Sequence, residues 1–168
     1  MAIERSDKLF EAARDAQQKF DYFVLGIIGA LCAFIGQSFK PDVLGLNSSA
    51  LEFVSMLMLV GSAVAGFKRV EGTNMLMRVN AQYLRMQEER GMLAPALGSG
   101  VRNSATGEVY SAQEVVSKLA ALDEVIPTVR AEIDEIGRGT LRSYKARNWL
   151  LLAGFLALLL SRVWAAYT

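Results

Sequence analysis

The side chains able to do chemistry are few, because the chain has no histidine and a single cysteine. Without histidine, the commonest general base near neutral pH is absent. Cys32 lies inside an apolar run, where a thiol is inert, and it has no histidine or second cysteine with which to hold zinc or iron. The sequence therefore predicts no catalytic residue, no metal site and no cofactor, and we expect the protein not to be an enzyme.

The acidic residues of one stretch are the remaining candidates for a chemical site. They are Asp123, Glu124, Glu132, Asp134 and Glu135. The apolar periodicity around them predicts a helix with these carboxylates on its solvated faces, which lacks the loop geometry of a calcium site. The net charge of +1 argues against a nucleic-acid partner.

Three apolar windows, residues 22–39, 50–67 and 149–167, organise the rest of the chain. Each is close to the roughly 20 residues that an α-helix needs to cross a bilayer. The windows predict three transmembrane helices, of which the first two form a hairpin over residues 22–67 and the third occupies residues 148–168. The lipid bilayer is therefore the first predicted partner.

The distribution of basic residues predicts the orientation of these spans. The loop between the first two spans carries only Lys40, whereas residues 1–21 and 68–147 contain many lysines and arginines. The N-terminus and residues 68–147 are therefore expected in the cytoplasm, and the C-terminus outside. The composition fits a bacterial inner membrane, and a eukaryotic organelle is the alternative.

Residues 1–21 are interpreted as an amphipathic cytoplasmic helix, and residues 68–147 as a cytoplasmic helical domain with an irregular tip at 91–110. After the tip, apolar residues recur at alternating spacings of four and three, which is typical of a helix-packing seam. This predicted seam comprises Val115, Leu119, Leu122, Ile126, Val129, Ile133 and Ile136. The predicted fold class is an all-α integral membrane protein with three transmembrane helices and a cytoplasmic antiparallel helical hairpin between the second and third.

Two pairs of residues have the spacing of a capping box and predict helix starts, namely Ser49 with Glu52 and Ser111 with Glu114. The expected role of Glu52 is then to satisfy backbone N–H groups. A buried ion-binding carboxylate is the alternative for this residue.

Three features are expected to interrupt helices. Gly91 is predicted to end the helix that follows the second span. Residues 101–110 are predicted to form a small β-hairpin with Thr106 and Gly107 in its turn. Pro127 lies inside the predicted seam and indicates a kink or break there.

Small residues at helical spacing in the spans predict close helix packing in lipid. The set is Gly26, Gly29, Ala33, Gly61, Ala65, Ala153 and Ala157. Part of this set serves contacts inside one chain and the rest leaves surface for a second copy, so a homo-oligomer is predicted.

Basic residues beside the spans are expected to contact lipid headgroups. These are Lys68, Arg69, Arg142, Lys145 and Arg147. Arg162, near the end of the third span, is expected to reach the outer headgroups. The alternative for Arg162 is a charge that faces a pore or a partner's acidic group.

Two functions of different classes fit these features. The first is a non-catalytic, self-associating membrane scaffold or accessory subunit, whose cytoplasmic helices bind another membrane or cytoplasmic protein through the predicted seam. The second is a homo-oligomeric pore or channel that permeabilises the membrane to ions or small solutes. The scarcity of polar residues in the spans favours the scaffold, and a conductance measurement separates the two functions.

Overall fold

The computed structural model describes residues 2–39, 47–97, 101–102, 107 and 109–167, and these are almost entirely helical. Helix α1 spans Ala2–Ser38, helix α2 spans Ser48–Leu93, and helix α3 spans Ala112–Tyr167. A 3-10 turn over Ala94–Ala96 follows α2, and two short strands, β1 (Val101–Arg102) and β2 (Val109–Tyr110), precede α3.

All three helices are long and apolar enough to cross a membrane. The mean hydropathy of their most apolar windows is 1.7 in α1 and 1.8 in both α2 and α3. The sequence-based expectation of three long apolar helices is therefore confirmed. α1 is continuous across the predicted boundary at residue 21, because no glycine or proline interrupts the chain there.

The start of α2 differs from the prediction. The helix begins at Ser48, so Ser49 lies inside it and Asn47 is the N-cap residue. The Ala50 backbone N–H donates to Asn47 Oδ1 at 2.9 Å, which satisfies one of the unpaired donors of the first turn. Glu52 lies further along the helix and makes contacts with α3 that are described below.

The start of α3 agrees with the predicted capping box. The Glu114 backbone N–H donates to Ser111 Oγ at 3.4 Å, and the Ser111 backbone N–H donates to Glu114 Oε2 at 2.7 Å. The Ser111 hydroxyl also donates to Glu114 Oε2 at 2.8 Å. These hydrogen bonds from the Ser111 backbone and hydroxyl lower the pKa of Glu114.

The described residues divide into two compact units. Unit 1 contains residues 1–71 and 140–168, and unit 2 contains residues 72–139. The core of unit 2 consists of Leu93, Ala96, Val115 and Leu119, which are buried, with Tyr110 and Leu122 packed against them.

Two ion pairs also join α2 and α3 within unit 2. Arg90 Nε lies 2.6 Å from Asp123 Oδ1, and Lys118 Nζ lies 3.5 Å from Glu89 Oε1. The Lys118 ammonium lies 4.1 Å from the centre of the Tyr110 ring, and the Tyr110 side chain raises the pKa of Lys118.

The predicted β-hairpin is confirmed where the structure describes it. β1 and β2 pair antiparallel, with Val101 opposite Tyr110. Gly107 has a φ of +74°, a conformation that glycine adopts without steric cost. Residues 103–106 and 108 lie outside the described residues, and so does the predicted turn position Thr106.

Neither Gly91 nor Pro127 ends a described helix, and the kink predicted at Pro127 stays a prediction. Gly91 lies inside α2, which ends at Leu93 just before Pro95. α3 continues through Pro127 without a break. Proline removes one backbone hydrogen bond, and the helix continues through Pro127, which is exposed.

We expect Ser111→Ala to destabilise the first turn of α3 by about 1 kcal/mol at neutral pH, because it removes the cap. Hydrogen exchange at the first amides of α3 measures this loss. The folded pKa of Glu114 is lowered, so its stabilisation is present above the ordinary carboxyl pKa and is lost as the pH falls through the lowered value. Acidification should therefore accelerate exchange in the native chain more than in Ser111→Ala. Glu124→Gln, an exposed carboxylate elsewhere on α3, is the control and should leave these amides unchanged.

Candidate functional site

The apolar parts of the three helices pack together in unit 1. The buried residues of this core come from all three helices. They are Val24, Ile28 and Ile35 of α1, Leu59 of α2 and Leu158 of α3. The core is small for three long helices, since large apolar side chains of the same segments remain exposed.

The buried side of α2 in unit 1 is unusual, because most of its residues are polar or small. The buried positions follow the alternating spacing of three and four that is typical of helix packing. They are Glu52, Ser55, Leu59, Ser62, Gly66 and Arg69, and we call this row the α2 seam. Only Leu59 is a large apolar residue, so polar contacts carry much of the packing.

One end of the α2 seam holds a buried charged cluster around Asp21 of α1. Arg147 Nη1 of α3 lies 2.6 Å from Asp21 Oδ1, and Arg69 Nε of α2 lies 3.2 Å from Asp21 Oδ2. The two guanidinium carbons lie 4.1 Å (Arg69) and 5.3 Å (Arg147) from the centre of the Tyr144 ring. Arg147 Nε also donates to Asn148 Oδ1 at 3.1 Å. Asp21 therefore ties all three helices together at this end.

The burial of this cluster makes its pairing essential. The side chains of Arg147, Arg69 and Asp21 are 1%, 8% and 7% exposed. Removing an ion from water costs several kcal/mol, and only close pairing with good geometry returns that cost. The cluster has two positive charges and one negative charge. The Tyr144 ring adds a favourable cation–π contact for the guanidinium groups.

Two serines of the α2 seam bind backbone carbonyl groups of α3. Ser62 Oγ donates to the Arg147 carbonyl oxygen at 2.8 Å, and Ser55 Oγ donates to the Gly154 carbonyl oxygen at 2.7 Å. Such contacts require close approach of the two helices. Gly154 permits this close approach because it has no side chain. A Cβ placed there would lie 3.2 Å from Met58 Cβ.

The other end of the α2 seam holds Glu52, which is buried. Its Oε1 atom accepts from Ser161 Oγ at 3.4 Å and lies 3.4 Å from Arg162 Nη1. The Arg162 guanidinium carbon lies 5.9 Å from the centre of the Phe34 ring of α1. The two charged ends are separated by the 17 residues from Glu52 to Arg69, or about 25 Å of helix.

No family model, no curated protein and no solved structure matches this chain.

Within the described ranges, no group of three or more cysteine, aspartate or glutamate side chains is arranged to hold a metal ion. The buried polar side chains Asp21, Ser55, Ser62, Arg69 and Arg147 of unit 1 contact neighbouring helices. The arrangement is suited to holding helices in a fixed register.

The structure places two of the predicted headgroup-contacting residues elsewhere. Arg69 and Arg147 are buried and do not face the surroundings, because both guanidinium groups form ion pairs with the Asp21 carboxylate. This part of the headgroup prediction is corrected. Lys68, Arg142 and Lys145 are exposed, and their contact with headgroups stays a prediction.

The predicted small-residue set is split between exposed and half-buried positions. Gly26, Gly29 and Ala33 are exposed, and a Cβ added at either glycine would meet nothing within 4 Å. The half-buried members are Gly61, Ala65, Ala153 and Ala157. At Gly61, an added Cβ would lie 3.4 Å from Leu150 Cδ1, so this glycine does face α3.

The predicted seam of unit 2 lies on the inward side of α3. Val115, Leu119 and Val129 are buried. The other members, Leu122, Ile126, Ile133 and Ile136, are half-buried. Packing inside the chain therefore uses much of this row, and its contact with a second chain or a partner stays a prediction.

Asp21 and Gly154 are helix-packing residues that the sequence did not single out. A signal for Asp21 was present. Asp21, Arg69 and Arg147 each lie within two residues of an apolar window, on the side that was predicted to be cytoplasmic. A signal for the α2 seam was the three-four spacing of its polar and small residues. Gly154 lies seven positions after Arg147 and seven before Ser161, a spacing that puts these polar and small residues on one side of α3, where an added Cβ at Gly154 would meet Met58 and Leu59.

We expect Asp21→Asn to destabilise the chain by about 3–5 kcal/mol, because it leaves two buried guanidinium groups without their carboxylate. Thermal unfolding in detergent micelles measures the effect. Asp15→Asn is the matched control on the same helix, since Asp15 pairs with Lys19 at the surface, where an ion pair contributes at most about 1 kcal/mol. Equal effects of the two variants would contradict the structural role of the charged cluster.

We expect Gly154→Ala to cost about 1–3 kcal/mol, because the new methyl group meets the backbone-proximal Cβ of Met58 and the Leu59 side chain. Gly29→Ala is the matched control and should be neutral or slightly stabilising, by up to about 1 kcal/mol, since alanine favours helix and the position is open. The same unfolding assay compares them, and a cost for Gly29→Ala in the monomer would disagree with the packing described here.

Proposed function

We propose that the protein is a non-catalytic membrane scaffold or accessory subunit. Its three apolar helices anchor it in a membrane, it self-associates, and unit 2 binds a partner protein. The observation that carries this proposal is that the buried polar and charged side chains of unit 1 make contacts between helices. Such contacts hold the helices of a membrane anchor together, so the role of these side chains is structural.

The proposed orientation places the Asp21 end of the bundle at the cytoplasmic surface. Lys68, Arg142 and Lys145 are exposed near this end, in agreement with the preference of basic residues for the cytoplasmic side. The N-terminus and unit 2 are then cytoplasmic, the C-terminus is outside, and a bacterial inner membrane is the proposed location.

Unit 2 is proposed to be an antiparallel helical hairpin. The pairing of Arg90 with Asp123 and the packing of Leu93 against Val115 support this, because residue numbers rise on one helix as they fall on the other. Four apolar side chains around the end of this hairpin are exposed and offer surface to a partner. They are Met92, Leu97, Val109 and Val116.

Self-association is proposed to use α1. Gly26 and Ala33 each precede a buried residue, Ile28 or Ile35, by two positions, and two residues correspond to about 200° around a helix. The small residues therefore lie on the side of α1 opposite its buried face. A smooth small-residue face in lipid packs closely against another helix, and a second copy presents the same face.

The alternative is a homo-oligomeric pore. The specific observation in its favour is the α2 seam, which carries more polar groups than the span compositions suggested. Conductance in planar bilayers separates the two functions. A pore requires current above background, and charged substitutions at Ala33, Ala65 or Ala157 should change that current without abolishing assembly.

We expect Gly29→Leu to shift the detergent- or nanodisc-extracted protein towards monomer, because a bulky side chain blocks close approach at the α1 face. Light scattering or native mass spectrometry gives the mass. Val64→Leu, at an exposed position of α2, is the matched control and should leave the mass unchanged. A monomeric native chain would refute self-association, while the anchor and partner-binding parts of the proposal would then be tested separately.

A further inference from the structure

The ion pairs at the two charged ends of unit 1 differ in length and in burial. At the Asp21 end, the ion pairs are 2.6 and 3.2 Å long and each side chain is at most 8% exposed. At the Glu52 end, the ion pair is 3.4 Å long, and the Arg162 side chain is 46% exposed while that of Glu52 is 11% exposed. The Glu52 end is therefore held by a longer contact to a side chain that already reaches the surroundings.

Polar groups continue inward from this ion pair for about one helical turn. Ser161 and Ser55 are fully buried, and the Gly154 carbonyl oxygen accepts from Ser55. Beyond Ser55 on α2, Leu59 belongs to the apolar core, and Ser62 lies on the far side of Leu59. On α3, Leu158 of the same core lies between Ser161 and Gly154. A short polar region thus ends at an apolar layer.

We propose that the Glu52–Arg162 ion pair is a latch, and that its release opens a water-accessible cleft that runs along the α2 seam to Ser55 and stops at Leu59. This device goes beyond the proposed scaffold function and does not depend on it. The Asp21 end stays closed, because its carboxylate is held by two buried guanidinium groups at once.

The physical reason is the unequal solvation of the two partners. Arg162 has a long, flexible side chain whose charged head moves to the surface at little cost. Glu52 is buried on α2 and does not have this freedom. A buried carboxylate that loses its cation is strongly destabilised, and entry of water is a compensation open to Glu52, whose side chain is already 11% exposed. Release of Arg162 therefore draws water towards Glu52 and the neighbouring serine hydroxyl groups.

The test is thiol labelling in phosphatidylcholine nanodiscs, which expose both faces of the bilayer, with a charged reagent that does not enter lipid. In a Cys32→Ser background, Ser55→Cys reports the cleft, Ser62→Cys reports the far side of the apolar layer, and Tyr167→Cys gives the rate at an exposed position. Each reporter is combined with Arg162→Gln, and separately with Arg142→Gln as a matched control at an exposed arginine.

We expect Arg162→Gln to accelerate labelling of Ser55→Cys about fivefold or more, since it leaves Glu52 unpaired. Labelling of Ser62→Cys should not change, and Arg142→Gln should have no effect on either reporter. Adding Glu52→Gln to Arg162→Gln should return the Ser55→Cys rate towards the native value, because no buried charge then requires water.

Three results would overturn the proposal. The first is an unchanged Ser55→Cys rate in Arg162→Gln. The second is an equal acceleration at Ser62→Cys, which would mean that the whole bundle has loosened. The third is an accelerated rate that persists in the double variant, which would assign the effect to lost packing of Arg162 and not to the unpaired carboxylate.

Discussion

The requirement that two buried guanidinium groups share one carboxylate constrains the rest of unit 1. Asp21 comes from α1, Arg69 from α2 and Arg147 from α3, so the three helices must meet at one level. A shift of any helix by one residue, about 1.5 Å, would lengthen contacts that are only 2.6 and 3.2 Å long. The cluster therefore sets the register from which the α2 seam is built.

That register provides buried polar side chains of unit 1 with partners on neighbouring helices, beside a small apolar core. With the helices held in place, Ser55 and Ser62 meet carbonyl groups of α3, and Gly154 lets the backbones approach. Among lipid tails, apolar side chains gain little from leaving the surroundings for the interior. Directional hydrogen bonds and close backbone contact then become the main source of helix association, and a small apolar core suffices.

The sequence was informative where a pattern is local and weak where it depends on long-range contacts. The apolar windows and the Ser111–Glu114 capping box were predicted from neighbouring residues, and the structure agrees with them. Arg69 and Arg147 were predicted at the lipid surface, because a basic residue beside a span usually lies there. Only the approach of Asp21, which is 126 residues from Arg147, buries them. Glu52 was likewise assigned to a local cap, whereas its partners Ser161 and Arg162 lie on another helix.

The distance along the chain between the members of the charged cluster also sets an order of assembly during synthesis. Asp21 and Arg69 are both synthesised before any residue of α3. Arg147 follows only after unit 2 has been synthesised, so the three-helix arrangement closes late and through a contact of very high sequence separation. Until then, the faces of α1 and α2 that later contact α3 have no partner in the growing chain. The Asp21 carboxylate thus lacks its Arg147 partner until translation has passed unit 2.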